Sequence, residues 1–371
     1  MNVEILKEGI TFGLKNILGA VETKNTIPIL SKVLFRARKD QGLVIETTNM
    51  NMSMRFDLGC NCNEDLSACI DAYDLYKLVK NFPDESMVSL DFNDDYLDIS
   101  FCDTKYRLVV VPDSDFPKLF TDKIQYQFVD ALKIKQMADL ISLSISDNDV
   151  RLFLTGAGFD KSNGGIEVTS SNGKQLSNVF LDIDNNFIQK PCILPRKFLL
   201  ELAKNIENNN IQSIGVFFNE DKAYFKMNDI EYLSRFIESQ YPKLNVMLKQ
   251  SMDCVFSLVG EDLKSALLRM SMLSSDFSDK ITIGLKDDKL LLFAQDETKG
   301  SGNELIDVVK ERGSMANSFN LSLGCLINIL GVFKKNGFKD ITIKVCDKPE
   351  FPIIINTKDF DGFDYAIMPI I

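Results

Sequence analysis

The sequence contains no histidine and no tryptophan, and its eight cysteines include no Cys-x-x-Cys pair. Without histidine, no side chain has an ordinary pKa near neutrality, and no Ser-His or Cys-His nucleophile can be assembled. The cysteines, at positions 60, 62, 69, 102, 192, 254, 325 and 346, are scattered and have no histidine to complete a zinc shell. They read as reduced, mostly buried small hydrophobes, so neither metal nor cofactor is expected. Also missing is any run of roughly 20 apolar residues, the length a membrane helix requires. The start, MNVEILKEG, lacks the basic-then-apolar layout of a signal peptide. A cytoplasmic protein with no membrane partner is expected.

Positive charge is in deficit, with 42 Lys and Arg against 53 Asp and Glu and a net charge of -11. Phosphate binding is carried by lysine and arginine, so the total argues against a nucleic-acid partner unless the charges are segregated. The 371 residues, 45% hydrophobic and 26% charged, are ordinary for a globular chain of two or three domains.

The chain repeats itself weakly, three times. Apolar-periodic segments begin at Ile70 (IDAYDLYKLVKNF), Ile193 (ILPRKFLLELAKNI) and Phe319 (FNLSLGCLINILGVF), 123 and then 126 residues apart. Alternating runs follow them, VSLDF, YLDISF and YRLVVV in the first copy and SIGVFF, AYFKM and YLSRFI in the second. DFPKL and QYPKL then recur 125 residues apart. Each third also opens with its own helix: VEILKEGITFGLKNILGAV, FVDALKIKQMADLISLSIS and FSLVGEDLKSALLRMSMLSS.

The helices are predicted from apolar spacings of three and four, as in Ala72, Leu75, Val79 and Phe82. Asp71 and Asp74, and Glu261 and Asp262, suit the positive ends of helix dipoles. Short alternating segments separated by turn residues such as Asn163-Gly164-Gly165 and Lys286-Asp287-Asp288 predict antiparallel sheets. The expected fold is α+β, with three similar domains at 1–122, 123–248 and 249–371, each carrying two helices.

Charge follows this division. The six helical windows 6–21, 71–82, 129–146, 195–208, 260–275 and 320–336 hold 13 basic and 9 acidic residues, a net +4 against −15 elsewhere. Lysine on a helix commonly just solvates an exposed face. Six mildly basic helices on an acidic body would also suit sequence-independent contact with DNA phosphates.

Several motifs lead elsewhere. Ser171-Asn172-Gly173-Lys174 and Ser146-Asp147-Asn148 imitate parts of a serine β-lactamase site, but their order is reversed and no K-T-G element is present. Asp359 to Asp364 hints at a calcium loop, yet its glycine falls early, and a turn feeding the last strand is expected. Asp91, Asp94, Asp95 and Asp98 alternate with apolar residues as a solvent-exposed strand and turn would.

TIPILSKVLF from Thr26, LVIETTNMNMSM from Leu43, DFPKL from Asp115, DVRLFLTG from Asp149 and the terminal YAIMPII together resemble the β subunit of bacterial DNA polymerase III, the bacterial sliding clamp. The resemblance spans all three thirds in order. It implies a non-enzymatic processivity factor, a head-to-tail homodimer whose ring encircles duplex DNA with its helices inside and sheets outside. For ring closure it points to Tyr106 on one side and to Met272 and Leu273 on the other. For DNA it points to Lys24 and Asn148, with the helix lysines Lys77, Lys80, Lys197 and Lys204 as candidates for the inner face.

DNA polymerase, clamp loader and repair factors would dock through short linear peptides. The implied cleft comprises Leu154, Ser171, Gly173, Lys174, Leu176, Pro242, Val246, Met247, Ala366, Met368, Pro369 and Ile370. Two departures from the family pattern stand out: Ser171-Asn172-Gly173-Lys174-Gln175-Leu176 replaces its Thr-Asp-Gly-His-Arg-Leu, and the chain stops at Met368-Pro369-Ile370-Ile371 without Arg-Leu. Each removes an arginine from the cleft. The competing readings are a hydrolase built on repeated α+β domains and a protein-interaction scaffold that never encircles DNA.

Overall fold

A computed structural model describes residues 2–24, 26–39, 42–60, 62, 64–120, 124–273 and 279–370. The domain boundary expected at 122/123, residues 274 and 275 of the fifth helical window, and the terminal Ile371 lie outside them. Among the described residues there are six α-helices: α1 Lys7–Ile17, α2 Ala72–Lys80, α3 Ala131–Ser142, α4 Arg196–Asn208, α5 Gly260–Met270 and α6 Leu323–Lys335. None is long and apolar enough to cross a membrane. Every strand pairing among the described residues is antiparallel.

The chain forms two compact units, Met1–Leu132 with Lys204–Phe236, and Lys133–Ala203 with Ile237–Ile371. These units follow the sheets and differ from the threefold division expected from the repeats.

In the first unit, a four-stranded sheet runs in the order Asn2–Leu6, Met87–Phe92, Tyr96–Phe101, Thr104–Val109. An eight-stranded sheet continues through the pairing of Met52–Asp57 with Ile230–Arg235. Helices α1 and α2 bury Ile10, Leu14 and Ile17, and Ala72, Leu75 and Val79, the stripes their spacing predicts. Asp71 caps α2 by accepting the Asp74 N–H at 3.1 Å. Gly13 lets α1 approach the sheet, for a Cβ there would stand 2.7 Å from the Phe56 ring.

Asp98 corrects the expectation of an exposed acidic strand, being only 5% exposed. It lies directly across the pairing register from Arg107, which donates two hydrogen bonds to it at 2.7 and 3.0 Å, and Lys105 adds an ion pair at 2.9 Å. Alternation with apolar residues cannot reveal a charge satisfied by its cross-strand neighbour.

In the second unit, a nine-stranded sheet continues through the pairing of Gln175–Leu181 with Phe363–Ile367. A four-stranded sheet runs Gly300–Asp307, Lys289–Asp296, Lys280–Lys286, Phe319–Ser322. Asp287 and Asp288 both adopt positive φ, 51° and 58°, in the two-residue turn predicted between Lys286 and Lys289. The apolar period read from Phe319 begins on a strand, and α6 starts only after Ser322, whose hydroxyl accepts the Cys325 N–H at 3.1 Å. Asp359 accepts the Lys339 N–H at 2.7 Å in the turn before the last strand.

Candidate functional site

Six of the twelve residues expected in the peptide cleft line one pocket in the second unit: Gly173, Lys174, Leu176, Met247, Ala366 and Met368. The pairing of Leu176 with Ala366 creates its floor, over buried Ile354, with Leu244, Leu248 and Met252 packed alongside. The turn Ser171–Gln175 is fixed from within. The Asn172 side-chain oxygen accepts the N–H groups of Lys174 and Gln175 at 3.0 and 2.9 Å, and Gly173 takes φ +87°. The Lys174 carbonyl accepts the Met368 N–H at 3.0 Å, joining the terminal segment to the turn.

The pocket does not include the other six. Leu154 and Ser171 are buried, whereas Val246 is 61% and Ile370 40% exposed; Pro242 is exposed and Pro369 half-buried. Two pocket residues were not among those expected, Gln175 and Pro352. Gln175 could have been included, since it lies between two chosen residues; nothing local marks Pro352. The Arg151 guanidinium was also missed, and it lies 3.5 Å from where a Gly173 Cβ would stand while holding Asp149 with two hydrogen bonds of 3.0 Å.

Tyr106 lies on the edge strand Thr104–Val109, is 40% exposed and stacks on Phe82 with ring centroids 5.7 Å apart. Met272 is 75% exposed. Leu273 lies over the edge strand Gly300–Asp307, its Cδ1 2.6 Å from the Cβ position of Gly302. None of the three is a core residue.

The residues expected to meet DNA, Lys24, Lys77, Lys80, Asn148, Lys197 and Lys204, are all exposed. Lys24 and Asn148 are in loops, and the other four are on α2 and α4. Two other basic residues counted in the helical windows, Lys135 and Lys335, are held by a carboxylate of the fold. Lys135 of α3 is 7% exposed, pairing with Asp139 at 3.2 Å and donating to the Asn336 side chain at 3.0 Å. Asp139 also holds Lys335 at 3.0 Å.

Nucleophile chemistry finds little support. The Ser171 hydroxyl is engaged with the Gln175 carbonyl at 2.8 Å. Burial pushes the Cys69 and Cys192 thiols up to about 12, away from the reactive thiolate. Among the described residues, no three Cys, Asp or Glu side chains are placed to hold a metal ion.

Residues 1–120 match the family model of the DNA polymerase III beta subunit N-terminal domain, and residues 129–243 that of its central domain, together more than half of the chain. The chain belongs to the DNA polymerase III beta subunit family. The Haemophilus influenzae beta sliding clamp is 21% identical over 374 residues, covering 100% of this chain and 99% of that protein. A crystal structure of the beta subunit from Pseudomonas aeruginosa superposes with a TM-score of 0.90 at 20% identity, covering 100% of both chains. The Caulobacter crescentus beta sliding clamp, solved with PEG bound, gives 0.90 at 21% identity over 100% of this chain and 99% of that one. Identity this low carries the fold of the beta subunit across and leaves individual side chains free to differ.

Proposed function

We propose that this beta subunit is a sliding clamp: two copies close head to tail into a ring around duplex DNA and hold the replicative polymerase there without sequence preference. It is a processivity factor with no catalytic site of its own, acting in the cytoplasm. The observation that carries this reading is the match of the whole chain, end to end, to beta subunits in sequence and fold.

The threefold repeat gives domains at 1–122, 123–248 and 249–371, so two copies supply six similar domains. Closure brings the Tyr106 edge of one copy to Met272, Leu273 and the Gly300–Asp307 edge of its partner. The pairing covers two sheet edges that otherwise present unpaired backbone groups, and it buries the exposed Val109 and Leu305 with Tyr106. Lys24, Lys77, Lys80, Asn148, Lys197 and Lys204 then meet phosphates. These contacts attract the duplex without reading bases, which suits a protein that must slide.

Polymerase, clamp loader and repair factors dock in the Leu176–Ala366 pocket through short peptides. That pocket is open on one side and offers about 40 Å³, room for about three water molecules and less than a large apolar side chain needs. An anchoring side chain therefore enters as Met247 and Met368, unbranched and adaptable, turn aside.

The test is primer extension by the cognate polymerase and clamp loader on a long single-stranded template, alongside light scattering. The reading expects products lengthened only when the protein is present, and a dimer mass that Tyr106→Glu converts to monomer with loss of the long products. Unchanged product length with wild-type protein, or a monomer at micromolar concentration, contradicts it.

A further inference from the structure

A second concavity, an open trough of about 480 Å³, lies over the Gln127–Asp130 end of the eight-stranded sheet in the first unit. That volume is within the range of small-molecule sites, roughly 300–1,000 Å³. Its walls include Phe128, Asn210, Gln212, Ser213, Lys226 and Asn228, and none of its described lining residues is acidic, on a chain of net charge -11.

The aromatic ring is unusual in being left to solvent. Phe128 is 65% exposed and has no ring partner among the described residues. Phe128 and Lys226 each lie opposite Gly215 in the pairing register, so both rise from the same face, two strand spacings or about 10 Å apart. Lys226 pairs with Glu231 at 3.3 Å, and Arg55 shares that carboxylate at 3.5 Å, so the ammonium can turn away without stranding it.

The amides complete the pattern. At other turns Asn49, Asn172 and Asn219 spend their side-chain oxygens on backbone N–H groups of their own turn. Asn210 and Asn228 also take positive φ, 52° and 49°, yet neither they nor Gln212 make a side-chain hydrogen bond among the described residues. An exposed ring stacks on any base, and a carboxamide offers one donor and one acceptor, the pair that matches the adenine N7 and amino group.

We infer that this trough binds an adenine nucleotide, its base stacked on Phe128, its edge against the amides and its phosphate toward Lys226. The nucleotide is either free or an unpaired residue of a strand, since both offer the same base and phosphate.

Saturation-transfer NMR with the full-length protein tests this, using AMP, adenosine and a four-residue deoxyadenosine oligonucleotide. Saturation is expected at the adenine H2 and H8 protons of AMP. Phe128→Ala, at a side chain the fold leaves exposed, should weaken AMP binding about tenfold, and Phe128→Tyr should preserve it. Lys226→Gln should weaken AMP about threefold and leave adenosine unchanged. Tighter binding of the oligonucleotide, still dependent on Phe128, supports the inference with a strand as the source; Phe128-dependent binding of AMP alone supports it with a free nucleotide. Absence of saturation with both at millimolar concentration, or equal affinity in wild-type and Phe128→Ala, overturns it.

Discussion

Helices α1 and α2 of the first unit and α5 and α6 of the second carry the same number of basic residues, four in each pair. Their states differ. On α1 and α2 only Lys7 is ion-paired, with Asp84; Lys15, Lys77 and Lys80 are exposed with no ion pair among the described residues, Lys80 lying 5.8 Å from the Tyr76 ring. On α5 and α6, Arg269 is held by Glu304, Lys334 by Glu261 at 3.0 Å and Lys335 by Asp139 at 3.0 Å, so that among the described residues Lys264 alone has no ion pair. A count of lysines treats the two regions alike, but positive charge free to meet phosphate is concentrated on the first. The paired cations of the second serve the fold.

Breaking that structural use should have the largest effect. Asp139→Ala strands Lys135, whose side chain is 9% exposed, without its carboxylate, and removing one partner of a buried pair costs about 3 kcal/mol. Urea denaturation should show that loss. Glu261→Gln, at a pair 61% and 56% exposed, should cost less than about 1 kcal/mol. Equal losses would erase the distinction between structural and solvated pairs.

The functional side of the comparison follows. Lys77→Glu with Lys80→Glu should lower affinity for a short duplex about tenfold and reduce the slope of log K against log salt by about 2, since each phosphate contact contributes about 0.9. Lys334→Glu with Lys335→Glu should change the slope by less than half as much. A larger effect from the second pair would mean that its ion pairs open on DNA.

Packing separates the same regions more gently. Gly13→Ala drives a methyl group into the Phe56 ring, 2.7 Å away, and should lower stability by about 1 kcal/mol after the helix-propensity gain. Gly331 on α6 has nothing within 4 Å of its Cβ position, so Gly331→Ala should raise stability by up to about 1 kcal/mol. Thermal melts distinguish the two signs.

The smallest expected change is in acid. Hydrogen bonds from Arg107 and Lys105 hold the Asp98 carboxyl well below its ordinary range. Its contribution is therefore complete above the unfolded pKa of about 4 and is lost as pH falls below that value. Asp98→Asn should flatten the fall in denaturation midpoint between pH 5 and pH 3 and leave the slope above pH 6 unchanged.

Much of this architecture is legible in the sequence. The apolar stripes of α2 and α6, the Asp71 cap and the Asp287-Asp288 turn are local patterns, and local patterns survive without tertiary information. The residues around Lys174 could be placed in a cleft because a resemblance aligned them. Partnerships across long separations were hidden: Lys335 meets Asp139 over 196 residues of chain, and Pro352 enters the pocket from a segment with no motif of its own. Asp98 was misread for a different reason: its partner Arg107 is near in sequence, and only the cross-strand register sets the two side by side.

Encirclement is tested most directly by assembling the protein on nicked circular plasmid, removing free protein and then cutting the plasmid once. A ring held by topology stays on the circle and runs off the linear product within minutes, and blocking both ends with bound protein should prevent the loss. Equal retention before and after cutting would show adhesion without encirclement and contradict the account.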